Sequence, residues 1–267
     1  MAAYIKLIAP KALVTDGISQ ISPEESIQSN EVQLYSSAID IFSHHYYWGV
    51  PDIPSLSKHS EYVAGKGKVF MIGEFGLCNI ECITEFLKVV NEKKTISGAL
   101  LWSLRYHSRD GGFYTHQDAQ YFSYHVPGFR ATTGFGKDEV EVVGLIRKNA
   151  ILIQGQAVDA HLAPPAPQAI LDPSINPTAL RWMGSAWANR YVISRRNNES
   201  DPWVVMHYNV PDGLPSGRIL YADKTVLAGQ TYTYKVQPVS IENRMDPDNA
   251  LFLGPFRVNG ILTADSP

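Results

Sequence analysis

The residue with the clearest chemical potential is Glu74, in the run Lys68-Val69-Phe70-Met71-Ile72-Gly73-Glu74-Phe75-Gly76. Val69 to Ile72 is continuously apolar, which predicts a strand buried on both faces, so Glu74 falls at a strand's C-terminal end. In parallel α/β folds the reacting groups gather at that end, and the flanking glycines let other backbone or a substrate approach closely. One reading is a positioned catalytic carboxylate. The other is a Glu that caps a helix beginning near Asn79. A second apolar run, Ile39 to Ser43, ends in His44, His45, Tyr46, Tyr47 and Trp48, and a third, Gly98 to Leu104, carries Trp102 near its end. His45 also reads as a satisfied core histidine, and Trp102 as packing. Cys78 and Cys82, at i and i+4, read as two helix-face thiols. They imply no disulfide framework and make a poor zinc site.

These residues need elements to hold them. Met1, Tyr4, Ile5 and Ile8 share a helical face that Pro10 stops. Ala12 to Thr15 is a short strand, and Ser22-Pro23-Glu24-Glu25 signals a helix start, with Ser22 as N-cap and Pro23 at the first helical position. A helix is predicted over 55–64, Gly65-Lys66-Gly67 breaks it, and Asn79 caps a helix to about Lys94 with Ile83, Phe86, Leu87 and Val90 inward. Strands alternate with helices four times at a spacing of roughly thirty residues, the βαβ pattern of a parallel sheet. A last amphipathic helix, 140–153, turns Val143, Ile146 and Ala150 inward.

Ala163-Pro164-Pro165-Ala166-Pro167 is a stiff linker, and beyond it the helical period vanishes. Short strands are predicted over 178–183, 190–195, 203–206, 218–221, 231–239 and 252–258, separated by Pro, Gly, Asn and Asp turns, which is a β-sandwich. The expected domains are therefore 1–162 and 163–267, an α/β body followed by an all-β one.

Composition narrows the function classes. The chain has 267 residues, 45% of them hydrophobic, and a formal net charge of −3. Without basic clusters it is not expected to bind nucleic acid, whose affinity comes mainly from Lys and Arg on phosphates. A neutral or weakly polar ligand fits better. No apolar run reaches the length of a membrane span, and the first ten residues lack the basic region and long apolar core of a signal peptide, so no compartment is assigned. No cofactor and no metal site are expected.

The segment Asp40-Ile41-Phe42-Ser43-His44-His45-Tyr46-Tyr47, followed by Ile72-Gly73-Glu74-Phe75-Gly76 and Leu101-Trp102-Ser103-Leu104-Arg105, resembles the sixth, seventh and eighth strands of glycoside hydrolase family 5. These are retaining (β/α)8 TIM-barrel enzymes, and the likeness is strongest to the mannan-cleaving branches. Arg109-Asp110-Gly111-Gly112-Phe113-Tyr114 adds a likeness to β-mannosidase-like members. The resemblance implies a partial (β/α)8 barrel of about strands 5–8. It makes Glu74 the nucleophile, His45 and Tyr47 the polar pair beside it, and Trp102 the stacking platform for the sugar. It also implies a β-mannosidic or related β-1,4-linked polysaccharide or oligosaccharide substrate, and family members are usually secreted. Leu180-Arg181-Trp182, Tyr191 to Arg195 and the stretch from Tyr221 to Val236 resemble a fibronectin type III module, with Trp182 as its core tryptophan and no chemistry assigned.

Retaining hydrolysis needs a nucleophilic carboxylate and a second carboxyl about 5–5.5 Å away. Tyr47 is placed to hold Glu74 by a hydrogen bond, and an indole face excludes water around the developing oxocarbenium ion. The family's acid/base glutamate stands in Asn-Glu-Pro. Here the Asn-Glu pairs are Asn30-Glu31, Asn91-Glu92 and Asn198-Glu199, and none follows an apolar strand or precedes proline. The sequence thus reads as a truncated hydrolase lacking its acid half, or as a non-catalytic remnant that binds glycan or protein. Asp16 and Asp110 are the substitutes for the missing proton donor. Uncovered half-barrel edges are expected to drive self-association.

Overall fold

A computed structural model describes residues 1–17, 35–47, 53–118, 121–130, 136–156 and 163–259. The helix expected from Ser22 and the residue Trp48 lie outside these. The chain forms two compact units, Met1–Ser103 and Leu104–Pro267.

In the first unit, helix α1 (Ala2–Ile8) buries none of its residues. Strand β1 (Ile41–Tyr46), helix α2 (Ile53–Gly65), strand β2 (Val69–Gly76), helix α3 (Ile80–Glu92) and strand β3 (Ile96–Trp102) follow in alternation. The three strands form a parallel sheet in the order β1-β2-β3. The strand expected at 12–15 is reduced to one parallel bridge, Thr15 to Ile41, on the free side of β1, where Val14 is buried. Asn79 caps α3 through its side chain, which accepts the Cys82 N–H at 3.1 Å, so the helix starts where local chemistry predicts. Cys82, Ile83, Phe86 and Leu87 are its buried face.

Two expectations are corrected here. β2 is not buried on both faces: Phe70 and Ile72 are buried beneath the helices, whereas Met71 is half-buried and Val69 is 42% exposed. A continuous apolar run marks a strand meant to be covered twice, and one of those covers is absent among the described residues. Cys78 and Cys82 are not two free helix thiols either. Cys78 precedes the cap, and the two sulfurs form a disulfide whose Cα atoms stand 6.0 Å apart. An i,i+4 spacing that straddles a helix start brings the Cβ vectors together, and the periodicity argument had placed both inside the helix.

In the second unit, short strands β4 (Leu104–Arg105) and β7 (Tyr124–His125) pair in parallel around the hairpin β5 (Gln117–Asp118) and β6 (Tyr121–Phe122). Helix α4 (Glu139–Ile153) follows, with Val142, Val143 and Ile151 buried and Ala150 exposed. The fully buried Glu139 accepts the N–H groups of His125 and Phe129, each at 3.0 Å, and meets His125 Nδ1 at 2.7 Å. Strands β8 (Ala188–Arg196), β9 (Val204–Val210), β10 (Thr231–Ser240) and β11 (Leu251–Arg257) make an antiparallel sheet in the order β11-β10-β8-β9. Its buried face packs Trp182, Tyr191, Ile193, Tyr234 and Val236 together, with the Trp182 and Tyr191 rings edge to face. The strands expected at 178–183 and 218–221 are single bridges, Gln168 to Met183 and Leu180 to Tyr221.

The division between units also falls elsewhere than at 163. The Phe113 N–H donates to the Leu214 carbonyl at 2.8 Å, the Ser216 N–H donates to the Phe113 carbonyl at 2.9 Å, and His107 Nε2 lies 3.0 Å from Asp212 Oδ2. These bonds tie the segment after β3 to the loop that follows β9. Loop-to-loop pairing of that kind has no periodic signature in a sequence.

Candidate active site

β1 and β2 each split their residues between two faces. Phe42, His44 and Tyr46 turn toward the helices and are buried. Tyr46 Oη lies 2.7 Å from His59 Nδ1 of α2, and Phe75 stacks on Phe86 of α3. By alternation, Ser43, His45 and Tyr47 share the opposite face.

Strict alternation along β2 would put Glu74 with Phe70 and Ile72, beneath the helices. It does not lie there. The register pairs His44 with Ile72 but His45 with Glu74, a bulge that leaves Gly73 unpaired. One extra residue flips every side chain beyond it, so Phe75 turns to the helices and Glu74 joins His45 and Tyr47. Glycine suits the bulge because a Cβ at 73 would stand 3.1 Å from the His45 ring and 3.3 Å from Ser43 Cβ, so a neighbour would have to give by a few tenths of an ångström.

The Tyr47 hydroxyl donates to Glu74 Oε2, and His45 Nδ1 lies 3.2 Å from the same oxygen. Both side chains of the His45–Glu74 pair are partly accessible, at 16% and 25%. Among the described residues, then, both contacts fall on Oε2, and Oε1 remains the oxygen that can meet a ligand. Trp102 pairs in register with Gly76, one strand over from Glu74. From strand spacing and rise its Cα stands about 8 Å from that of Glu74. Gly76 has φ 138°, and a Cβ on it would meet the Trp102 carbonyl oxygen at 2.7 Å, so the close approach of β2 and β3 depends on glycine at this point. The Trp102–Ser103 peptide is cis, and Trp102 is 36% exposed.

Of the predicted site residues, the structure therefore brings Glu74, His45 and Tyr47 together, with Tyr47 hydrogen-bonded to Glu74 and His45 in ion-pair distance of it, and sets Trp102 on the adjacent strand. The capping alternative for Glu74 fails because Asn79 does that work. Asp16 Oδ1 accepts the backbone N–H of Ser43 at 2.9 Å and the Ser43 hydroxyl at 3.0 Å. Asp110 belongs to the second unit, in a turn where its backbone N–H bonds Ser108 Oγ. His44, next to His45 in sequence, faces the other way. Burial, reinforced by the charges of His59 and His45, pulls its pKa down to about 4, and it serves the packing beneath the site. Among the described residues no group of three or more His, Cys, Asp or Glu gathers as a metal site, and no helix is long and apolar enough to cross a membrane.

Sequence reasoning missed the Asp16–Ser43 bracket and the bulge. The signal for the bulge was present, since glycine inside a strand pattern often marks one. Compared with known protein families and with curated proteins, the chain matches none.

Proposed function

We propose that the chain carries the nucleophile side of a retaining glycoside hydrolase site, acting on β-mannosidic or related β-1,4-linked glycans. One observation carries this reading: a strand-end carboxylate with one oxygen bonded by Tyr47 and 3.2 Å from His45 Nδ1, and with an exposed indole on the next strand. Anchoring Oε2 fixes the direction from which Oε1 approaches an anomeric carbon, which is the positioning that nucleophilic catalysis requires. The indole supplies an apolar face for the pyranose.

The second carboxyl of retaining chemistry has no counterpart bonded to this group among the described residues. A second reading follows from that, in which the same residues bind glycan without cleaving it. In either reading the parallel strands stand for part of a (β/α)8 barrel, and the antiparallel sheet for a fibronectin-like β-sandwich.

A fluorosugar separates the two. 2-Deoxy-2-fluoro-β-mannosyl fluoride needs no acid to expel its leaving group, so a competent nucleophile accumulates as a glycosyl ester. Intact mass spectrometry should show one adduct, mapped to the peptide containing Glu74 and absent in Glu74→Gln. Mannohexaose binding by calorimetry without any adduct would leave the binding reading and sink the catalytic one.

A further inference from the structure

In the second unit, the turn after β7, the start of α4 and the loop after β9 border a cavity of about 550 Å³. Part of its lining is held in place from below. Gly128 donates its N–H to the His125 carbonyl at 2.6 Å, and the Phe129 N–H donates to the buried Glu139 at 3.0 Å. Gly213 lies so close to the Phe129 ring that a Cβ on it would stand 2.3 Å from Cγ, so the loop after β9 makes this approach as glycine. Val140, Pro211, Leu214 and Ile241 complete the apolar lining, and Arg130, Asn189 and Asn209 supply its polar side chains. Arg130 is exposed, and among the described residues its guanidinium makes no hydrogen bond or ion pair. The Asn209 carboxamide is likewise exposed and unbonded among them, and Asn189 Oδ1 accepts a long bond, 3.5 Å, from Arg190 Nη1. Of the carboxylates that flank these residues in sequence, Glu139 meets His125, Asp212 meets His107 and Tyr191, and Glu242 meets Arg147. The exposed Glu141 is not part of the lining.

We infer that this cavity binds an acidic sugar, a uronic acid of one or two rings. The carboxylate follows from Arg130. Its guanidinium fork matches a carboxylate bidentately, it has no ion pair to give up, and its exposure leaves it within reach of a ligand. The hydroxyls follow from Asn189 and Asn209, because a carboxamide both donates and accepts, as a sugar hydroxyl does. A hydrocarbon acid seated there would strip water from both amides and return nothing. The ring follows from Pro211, Leu214 and Ile241, which offer an apolar wall to the C–H face of a pyranose while its hydroxyls turn to the amides. The volume lies within the range of small-molecule pockets, roughly 300–1,000 Å³, and an inorganic anion would leave most of it unfilled. The inference does not rest on the Glu74 reading and concerns the other unit.

Three probes test it on the full chain by ligand-observed NMR titration: methyl β-D-glucuronide, with carboxylate and hydroxyls; methyl β-D-glucoside, with hydroxyls alone; and cyclohexanecarboxylate, with the carboxylate alone. The glucuronide should bind about tenfold tighter than either relative, the worth of one charge-assisted hydrogen bond expressed as affinity. In Arg130→Gln the glucuronide should fall to the affinity of the glucoside. In Asn209→Val it should lose about tenfold, toward the affinity of cyclohexanecarboxylate. Both side chains are exposed, so circular dichroism should show the fold unchanged in each variant. Equal affinities for glucuronide and glucoside in the unmodified chain, a preference for the acid that survives Arg130→Gln, an unchanged affinity in Asn209→Val, or no binding of the glucuronide would each overturn the inference.

Discussion

Replacing Gly73 by alanine should disarm Glu74 without touching it. The new Cβ would stand 3.1 Å from Cδ2 and Nε2 of His45 and 3.3 Å from Cβ of Ser43, whereas relaxed contacts between such atoms are about 3.5–4.0 Å. The shortfall toward the ring is thus roughly 0.4 Å. Ser43 cannot yield easily, because Asp16 holds both its N–H and its hydroxyl. His45 must move instead. Its Nδ1 is 3.2 Å from Glu74 Oε2, and a retreat of that size takes the contact to roughly 3.6 Å, which weakens it. Overpacking of this kind costs about 1–3 kcal/mol, and weakening of that contact should slow fluorosugar labelling of Glu74 by up to about tenfold. Gly98→Ala in β3 is the matched control, because its Cβ would find only Met71 Cγ at 3.8 Å. That change should be neutral or stabilising by up to about 1 kcal/mol. Urea denaturation followed by a first-unit probe, with labelling rates by mass spectrometry, reads both effects. Equal stabilities and equal labelling rates for the two variants would refute the claim that the bulge aims the carboxylate.

Acidification should destabilise the first unit through His44. Its folded pKa of about 4 lies below the ordinary 6.5 because of burial, so the unfolded chain takes up the proton first. The stability present above pH 6.5 should fall by about 3 kcal/mol on the way to pH 4, and urea titrations of His44→Phe should be flatter across that window. Reducing the Cys78–Cys82 bond should lower first-unit stability by about 2 kcal/mol, the loop-closure value for so short a ring; an unchanged melt with dithiothreitol would contradict this. The outer edge of β3 has no partner strand among the described residues, and Leu100 is 55% exposed on it. Light scattering should therefore report species larger than a monomer, and Leu100→Lys should shift them toward it.

What the sequence determined by itself was local. The apolar run ending at Glu74, the Asn79 cap and the buried stripe of α3 depend on neighbours a few residues away, and all appear where propensity and periodicity place them. Tyr232, Tyr234 and Val236 alternate inward on β10 as their spacing predicts. Tertiary structure decided the face on which Glu74 lies, because a bulge is a relation between two strands and no period within β2 contains it. It also decided that Cys78 and Cys82 bond, since their sulfurs meet across a helix start rather than along a helix. The division at Ser103 is of the same kind. The bonds that hold the segment from Leu104 onward to the loop after β9 join Phe113 to Leu214 and His107 to Asp212, partners about a hundred residues apart, and only the folded chain brings them within reach.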